Sequence, residues 1–69
     1  MDDLHERLIS RIKAIAADRE MPLSHVADRA GVGRTHFWAV LGGKSSPTVA
    51  WLGKIASTLG VDGADLLAR

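Results

Sequence analysis

The sequence has no cysteine and no tyrosine, only one phenylalanine and two tryptophans, and no long apolar run. Without cysteine, disulfides, thiolate zinc sites and a cysteine nucleophile are excluded. No apolar stretch reaches the roughly 18 residues of a membrane span, and the start Met1-Asp2-Asp3 lacks the features of a signal peptide. A 69-residue chain buries only about 60% of the surface that it exposes when unfolded. We expect one cytoplasmic domain over residues 1–69, without a deep substrate cavity.

Acidic residues are missing from the middle of the chain. Residues 29–61 contain Arg29, Arg34, Lys44 and Lys54 but no aspartate or glutamate, although the formal net charge of the whole chain is only +1. A polyanion that binds this segment would meet no like-charge repulsion from it. The alternative is that these four cations only keep the domain soluble.

Apolar spacing and breaker residues predict an all-α fold of five helices. The capping pair Asp3 and Glu6 starts the first helix, which runs to about Arg19. Pro22 and Gly31 bound a second helix over 23–30, and a third spans 34–41 before Gly42-Gly43. Thr48 caps the fourth helix and Asp62 the short fifth.

The same spacing predicts which side chains face the core. In the first helix Leu4, Leu8, Ile12 and Ile15 form the inward stripe, with Ile9 and Ala16 beside it. In the later helices the predicted inward residues are Leu23, Val26, Ala27, Ala30, Phe37, Val40, Leu41, Val49, Leu52, Ile55, Ala56 and Leu59.

The second and third helices, joined by Gly31-Val32-Gly33, have the spacing of a helix-turn-helix. Such a motif clamps one helix on another so that the second protrudes and enters a major groove about 12 Å wide. It needs a small residue at the crossing, here Ala27, and inward bulk on the protruding helix, here Phe37 and Val40. Helix–glycine–helix alone is a weak signal, because many helical bundles contain one.

Longer stretches make the likeness more specific. They are Val26-Ala27-Asp28-Arg29-Ala30-Gly31-Val32-Gly33-Arg34-Thr35-His36-Phe37, Gly43-Lys44 with Ser46-Pro47-Thr48, and Leu52 with Lys54-Ile55-Ala56 and Leu59-Gly60-Val61. Together they resemble the Cro and lambda-repressor type (XRE-family) helix-turn-helix domain over residues 4–67. The resemblance implies a compact five-helix bundle with its helix-turn-helix core at about 22–41. It also implies a bacterial or phage-type, nucleoid-associated transcriptional regulator, repressor-like and homodimeric on an inverted-repeat operator.

Four positions depart from the family pattern. A phosphate-binding glutamine that often opens the second helix is replaced by Leu23, and a glycine after the first helix by Glu20. An arginine–glutamate pair common in the family is replaced by Ala16 and Leu41. Joint replacement is physically coherent, because losing one partner would strand a buried charge at about 3–5 kcal/mol.

The resemblance and the helical wheel together assign the interface. Residues expected to face base edges are Arg34, Thr35, Trp38 and Ala39. Residues expected near the DNA backbone are Ser24, His36, Lys44, Ser45, Ser46, Thr48, Lys13 and Arg29. Candidate dimer contacts are Trp51, Val61, Leu66 and Leu67. Arg34 is the best candidate for base discrimination, since its fork matches guanine O6 and N7. The alternative is that Arg34 contacts a phosphate or is simply a solvated residue at the helix start.

Alternatives remain open for several of these side chains. Trp38 either touches DNA, folds onto the core or binds a protein; Trp51 either edges the core or contacts a partner; and Val61, Leu66 and Leu67 either complete the core or form the dimer contact. The rival function is a protein-interaction module that keeps the fold and uses both tryptophans as anchors.

No enzyme, cofactor or metal site is expected. Gly43-Lys44-Ser45 lacks the earlier glycine and the strand of a P-loop. The three histidines, His5, His25 and His36, lie on different segments, and Ser24 and His25 are neighbours that point apart on one helix.

Overall fold

Five helices make up most of the computed structural model, which describes residues 3–67, with side chains from residue 4. They are α1 (Asp3–Asp18), α2 (Leu23–Ala30), α3 (Arg34–Leu41), α4 (Val49–Leu59) and α5 (Gly63–Leu67). No strand occurs in this described part. The prediction of an all-α fold with five helices is confirmed, and α2 and α3 begin and end at the predicted residues. The predicted capping pair at the start of α1 depends on the side chain of Asp3, which lies outside the described residues.

The first four helices all end in the same way. A residue in the left-handed conformation follows each helix: Glu20, Gly31, Gly43 and Gly60, with φ of 53°, 74°, 79° and 76°. The next N–H then turns back to a carbonyl of the last helical turn, as Val32 N donates to Ala27 O at 3.2 Å. These endings satisfy carbonyls that the helices leave without partners. Glu20 is the one residue of the four with a side chain, and it stands where the family pattern has glycine.

Side-chain caps support the starts of the last two helices. Thr48 precedes α4 and its Oγ1 accepts a hydrogen bond from Trp51 N at 3.0 Å, which confirms the predicted cap. At α5 the carboxylate of Asp65 accepts from Asp62 N at 3.1 Å. This bond is the returning half of a capping box, in which a side chain inside the helix satisfies the backbone before it.

The core is apolar and is contributed by all five helices. Helix α4 packs against α2 and α5, α5 packs against α1, and α2 also contacts α1 and α3. No polar or charged residue is buried in the described part of the chain. The buried side chains are Leu8, Ile9, Ile12, Ala16, Val26, Ala27, Phe37, Val40, Trp51, Ile55, Ala56, Leu59 and Leu66.

Two of the predicted inward residues are on the surface instead. Leu4 is half exposed and Val49 is 87% exposed. Val49 is the first residue of α4, roughly 90° around the helix from the centre of its buried stripe, so no neighbouring helix covers it. Trp51 is buried at 4% exposure in its place. In α1 the stripe is centred on Leu8, Ile9, Ile12 and Ala16, and Ile15 is only partly buried.

The replacements at Ala16 and Leu41 fit this core. Ala16 is buried, and Leu41 is partly buried and packs against the core. Both positions are apolar, so neither places a charged group in or beside the core.

Candidate nucleic-acid interface

Helix α3 is anchored by one face and open on the other. Phe37 and Val40 are fully buried, and the most extensive packing of α3 is against α2. Arg34, Thr35, His36 and Trp38 are exposed, and Ala39 is partly exposed. Eight residues make a rod about 12 Å long, comparable to the width of a major groove. All four predicted base contacts, namely Arg34, Thr35, Trp38 and Ala39, have side chains that are at least partly accessible to solvent.

The connection between α2 and α3 is only residues 31–33. Gly31 takes the left-handed conformation that lets the chain turn directly after α2, and Val32 is partly buried against the core. Ala27 on α2 is fully buried. A larger side chain there would displace a neighbour in a closely packed core, so this position requires a small residue.

Arg34, the first residue of α3, is paired with Asp28 in the last turn of α2. Arg34 Nε donates to Asp28 Oδ1 at 2.9 Å, and Nη2 donates to Oδ2 at 2.6 Å. Both side chains remain accessible, and Arg34 is 62% exposed. The hydrogen bonds from Arg34 hold the pKa of Asp28 below its usual value, with smaller contributions from the charges of Arg34 and His25. The same pairing raises the pKa of Arg34.

This pair corrects a conclusion drawn from the charge pattern. Residues 29–61 contain no carboxylate. The carboxylate of Asp28, one residue before that segment, nevertheless contacts Arg34 within it. Asp28 and Arg34 are six residues apart and lie on either side of a tight turn. The sequence signal for this pair is an acid in the last turn of one helix followed, across a three-residue link, by a base at the start of the next.

The two tryptophans lie in different environments. Trp38 is 48% exposed, and its ring meets the buried Phe37 edge-to-face with centroids 5.4 Å apart. It therefore both contacts the core and presents an apolar surface to solvent. Trp51 is buried; its ring lies 6.0 Å from that of Phe37 and 6.4 Å from that of His36.

The loop between α3 and α4 meets the start of α1. Lys44 and Ser46 are exposed and Ser45 is partly buried. These residues line a groove of about 370 Å³ together with Gly43, His5 and Glu6. The carboxylate of Glu6 thus borders the predicted phosphate contact, a neighbour that sequence separation conceals.

The other predicted backbone contacts lie on α1, on α2 and directly before α4. Ser24 is partly buried in the first turn of α2, Arg29 is exposed in its last turn and Lys13 is exposed on α1. No described side chain caps the start of α2, and its first turn contains no acid. The N–H groups at this end suit an anion, since a helix N-terminus attracts phosphate. Thr48 is exposed, but its hydroxyl oxygen already accepts from Trp51 N.

Burial corrects the candidate dimer contacts. Trp51 and Leu66 are buried inside one chain at 4% and 1% exposure, so both side chains belong to the core and present little surface to a partner. Val61 packs against the core while partly exposed. Leu67 remains exposed, and of the four it alone presents a large accessible surface.

A histidine contact missed by the sequence analysis fixes the far end of α3. His5 Nε2 donates a hydrogen bond to Val40 O at 2.9 Å. A carbonyl only accepts, so the proton on Nε2 is required. This bond ties α1 to the last turn of α3, and no periodic pattern signals it, because the two residues are 35 positions apart.

Within the described residues, no group of three or more histidine, aspartate or glutamate side chains is placed to hold a metal ion. None of the described helices is both long and apolar enough to cross a membrane. No family model, no curated protein and no solved structure matches the chain.

Proposed function

We propose that this chain is a sequence-specific DNA-binding regulator of the lambda-repressor-like, XRE type. In this proposal α2 and α3 form a helix-turn-helix, and α3 is the recognition helix in the major groove. The observation that carries the proposal is the placement of α3: Phe37 and Val40 are fully buried, while Arg34, Thr35 and Trp38 on the opposite side are exposed.

Charge placement supports DNA as the partner. The exposed cations Arg29, Arg34 and Lys44 lie on α2, α3 and the loop after α3. The uncapped start of α2 adds backbone N–H groups without an acid in its first turn. Groups of this kind make the phosphate contacts that position a protein on a duplex, whereas the side chains in the groove read the sequence.

The size of the molecule supports binding as a homodimer on an inverted repeat. Its Cα trace extends 29 × 26 × 20 Å, whereas half-site centres in such operators lie about 34–36 Å apart. One chain is therefore suited to one half-site, and two chains related by a two-fold axis are needed for both. Light scattering of the protein on its operator tests this, and a mass corresponding to one chain per operator would refute the dimer.

Selection of bound duplexes from random DNA tests the proposal as a whole. We expect enrichment of one inverted repeat, with an affinity that falls steeply as salt increases. If each chain makes about three phosphate contacts, the slope of log K against log salt is about −3 per chain. Recovery of no enriched sequence, together with binding that does not respond to salt, would refute the proposal.

The rival proposal is a protein-interaction module, and one observation favours it. Trp38 presents about half of its surface to solvent, as an interface anchor does. The burial of Trp51 removes the second anchor on which that proposal relied. A protein partner that binds with little salt dependence, and whose binding Trp38→Ala abolishes, would favour this rival.

A further inference from the structure

Asp28 makes contact with Arg34 through one edge of the guanidinium only. That edge consists of Nε and Nη2, each bonded to a different oxygen of the same carboxylate. A guanidinium carries five N–H donors in one plane, so three remain. They are the two on Nη1 and the second on Nη2, and one N–H of each nitrogen points outward to form the end of the fork.

The free end of the fork has the geometry required to read guanine. Two parallel N–H donors there match the O6 and N7 acceptors that guanine presents in the major groove. The guanidinium is planar, so an anion bound along its side edge leaves its end edge open. Arg34 is also 62% exposed despite the pairing, so most of its side chain stays accessible.

Holding this side chain in place matters for discrimination. A free arginine on the surface samples many rotamers and loses rotamer entropy when it is fixed. An arginine that is already held gives up less on binding, and a fixed orientation favours one base over others. The recognition helix places its N-terminal residues against base edges in helix-turn-helix complexes, and Arg34 is the first residue of α3.

We propose that Asp28 is a specificity-determining positioning residue, which holds Arg34 by its side edge so that the end of its fork reads a guanine. This inference rests on the proposed function. Asp28 has a second effect through its charge, because a carboxylate near the DNA backbone repels phosphates and lowers affinity for all sequences. Only the positioning effect increases the difference in affinity between the operator and other DNA, because the repulsion lowers both affinities alike.

The pairing itself is measurable without DNA. In Arg34→Ala we expect NMR titration to show the pKa of Asp28 rising towards its usual value, since the largest cause of its lowering is the Arg34 hydrogen bond. The sign follows from the direction of the shift. A lowered pKa means that the ion pair is fully present above the usual pKa of an aspartate and is lost as pH falls through the lowered value. An unchanged pKa of Asp28 in Arg34→Ala would overturn the proposal.

The decisive experiment is a double-mutant cycle on base discrimination. Binding is measured to the selected operator and to a duplex in which the guanine read by Arg34 is replaced by adenine. Wild type should prefer the guanine by roughly 5- to 150-fold, the range of one good bidentate contact. Asp28→Ala should reduce that preference about fivefold or more, while its affinity for random-sequence duplex rises. In the Arg34→Ala background, Asp28→Ala should leave the preference unchanged.

The controls separate positioning from charge and from folding. Asp28→Asn removes the charge but keeps one acceptor, so we expect intermediate discrimination. Arg29→Ala removes a predicted backbone contact next to this pair, so it should lower affinity for both duplexes alike and keep the guanine preference. Circular dichroism should show unchanged helicity in Asp28→Ala, because an exposed ion pair contributes little to folding stability.

The outcomes distinguish the inference from the function on which it rests. If Asp28→Ala binds the operator and the adenine duplex more tightly by the same factor, Asp28 only repels phosphate and the positioning proposal is wrong, although DNA binding stands. If Arg34→Ala keeps the wild-type guanine preference, the positioning proposal is again wrong. If wild type enriches no sequence and shows no salt-dependent binding, the proposed function fails and this inference with it.

Discussion

The outer faces of α1 and α3 are both solvent-exposed helix surfaces, but they expose different chemistry. On α1, both acidic and basic side chains surround a shallow open depression. Its lining residues are Glu6, Arg7, Ser10, Arg11, Ala14, Ile15 and Asp18. On α3, the exposed residues are Arg34, Thr35, His36 and Trp38 with no acid on the helix itself. A mixed-charge face is typical of a solvated helix, whereas the α3 face combines donors and an apolar surface suited to base edges.

This difference teaches that net charge is a poor guide to the partner of a small domain. The whole chain carries only +1. Its acids lie outside residues 29–61, the segment that contains α3. What distinguishes α3 is the orientation of a few groups, fixed by the burial of Phe37 and Val40. The predictions that follow set a change in or around α3 against a matched change elsewhere.

The largest expected effect is loss of the anchor that holds α3. Phe37→Ala should lower the free energy of unfolding by about 3–5 kcal/mol, because it removes a fully buried ring from the core. Trp38→Ala, one residue along, should cost only about 1 kcal/mol, chiefly its ring contact with Phe37, and should weaken operator binding. Urea denaturation measures both. Equal destabilisation by the two variants would contradict the assignment of inner and outer faces.

The second effect compares the removal of an arginine from the outer face of α3 with the removal of one from the outer face of α1. Arg34→Ala should lower operator affinity by about 1–3 kcal/mol and relax specificity at one base. Arg7→Ala removes an exposed arginine from α1 and should change operator affinity little. Fluorescence anisotropy on the selected site and on single-base variants measures both effects. Should Arg7→Ala be as damaging as Arg34→Ala, α1 would share the interface and the contrast between the faces would disappear.

The third effect concerns Glu20, directly after α1, a residue with no predicted DNA contact. Glu20 ends α1 at φ 53°, a conformation that costs a non-glycine residue about 1–2 kcal/mol. Glycine removes that cost but gains roughly 0.4–1 kcal/mol of freedom in the unfolded chain. We therefore expect Glu20→Gly to raise the free energy of unfolding by about 0.5–1 kcal/mol, with unchanged operator affinity. A loss of stability would show that the Glu20 side chain makes a contribution larger than its backbone strain.

How far the sequence predicts the structure depends on the range of each interaction. The helix starts after Pro22 and Thr48 and the helix end before Gly31 were predictable, because caps and breakers act within a few residues. The exchange of Val49 for Trp51 in the core was not, since both lie in the first turn of α4 and only the position of neighbouring helices decides which is covered.

The candidate site divides in the same way. The exposed residues of α3 follow from helical spacing once Phe37 and Val40 are taken as inward. The pairing of Asp28 with Arg34 and the bond from His5 to Val40 depend instead on the angle between helices. In the sequence Asp28 lies just before the acid-free residues 29–61. The turn at Gly31 nevertheless places its carboxylate against Arg34 in that segment.

The smallest effect concerns the loop lysine, and it separates a phosphate contact from a solvated charge. Lys44 borders a groove that also contains Glu6, whereas Lys54 is exposed on α4, outside the predicted interface. Lys44→Ala should weaken binding almost uniformly across sequences and reduce the salt slope by about 1 per chain, and Lys54→Ala should leave the slope unchanged. The slopes are measured from operator affinity at several salt concentrations. If Lys44→Ala keeps the wild-type slope, the loop after α3 does not touch the phosphates, and the interface is limited to α2 and α3.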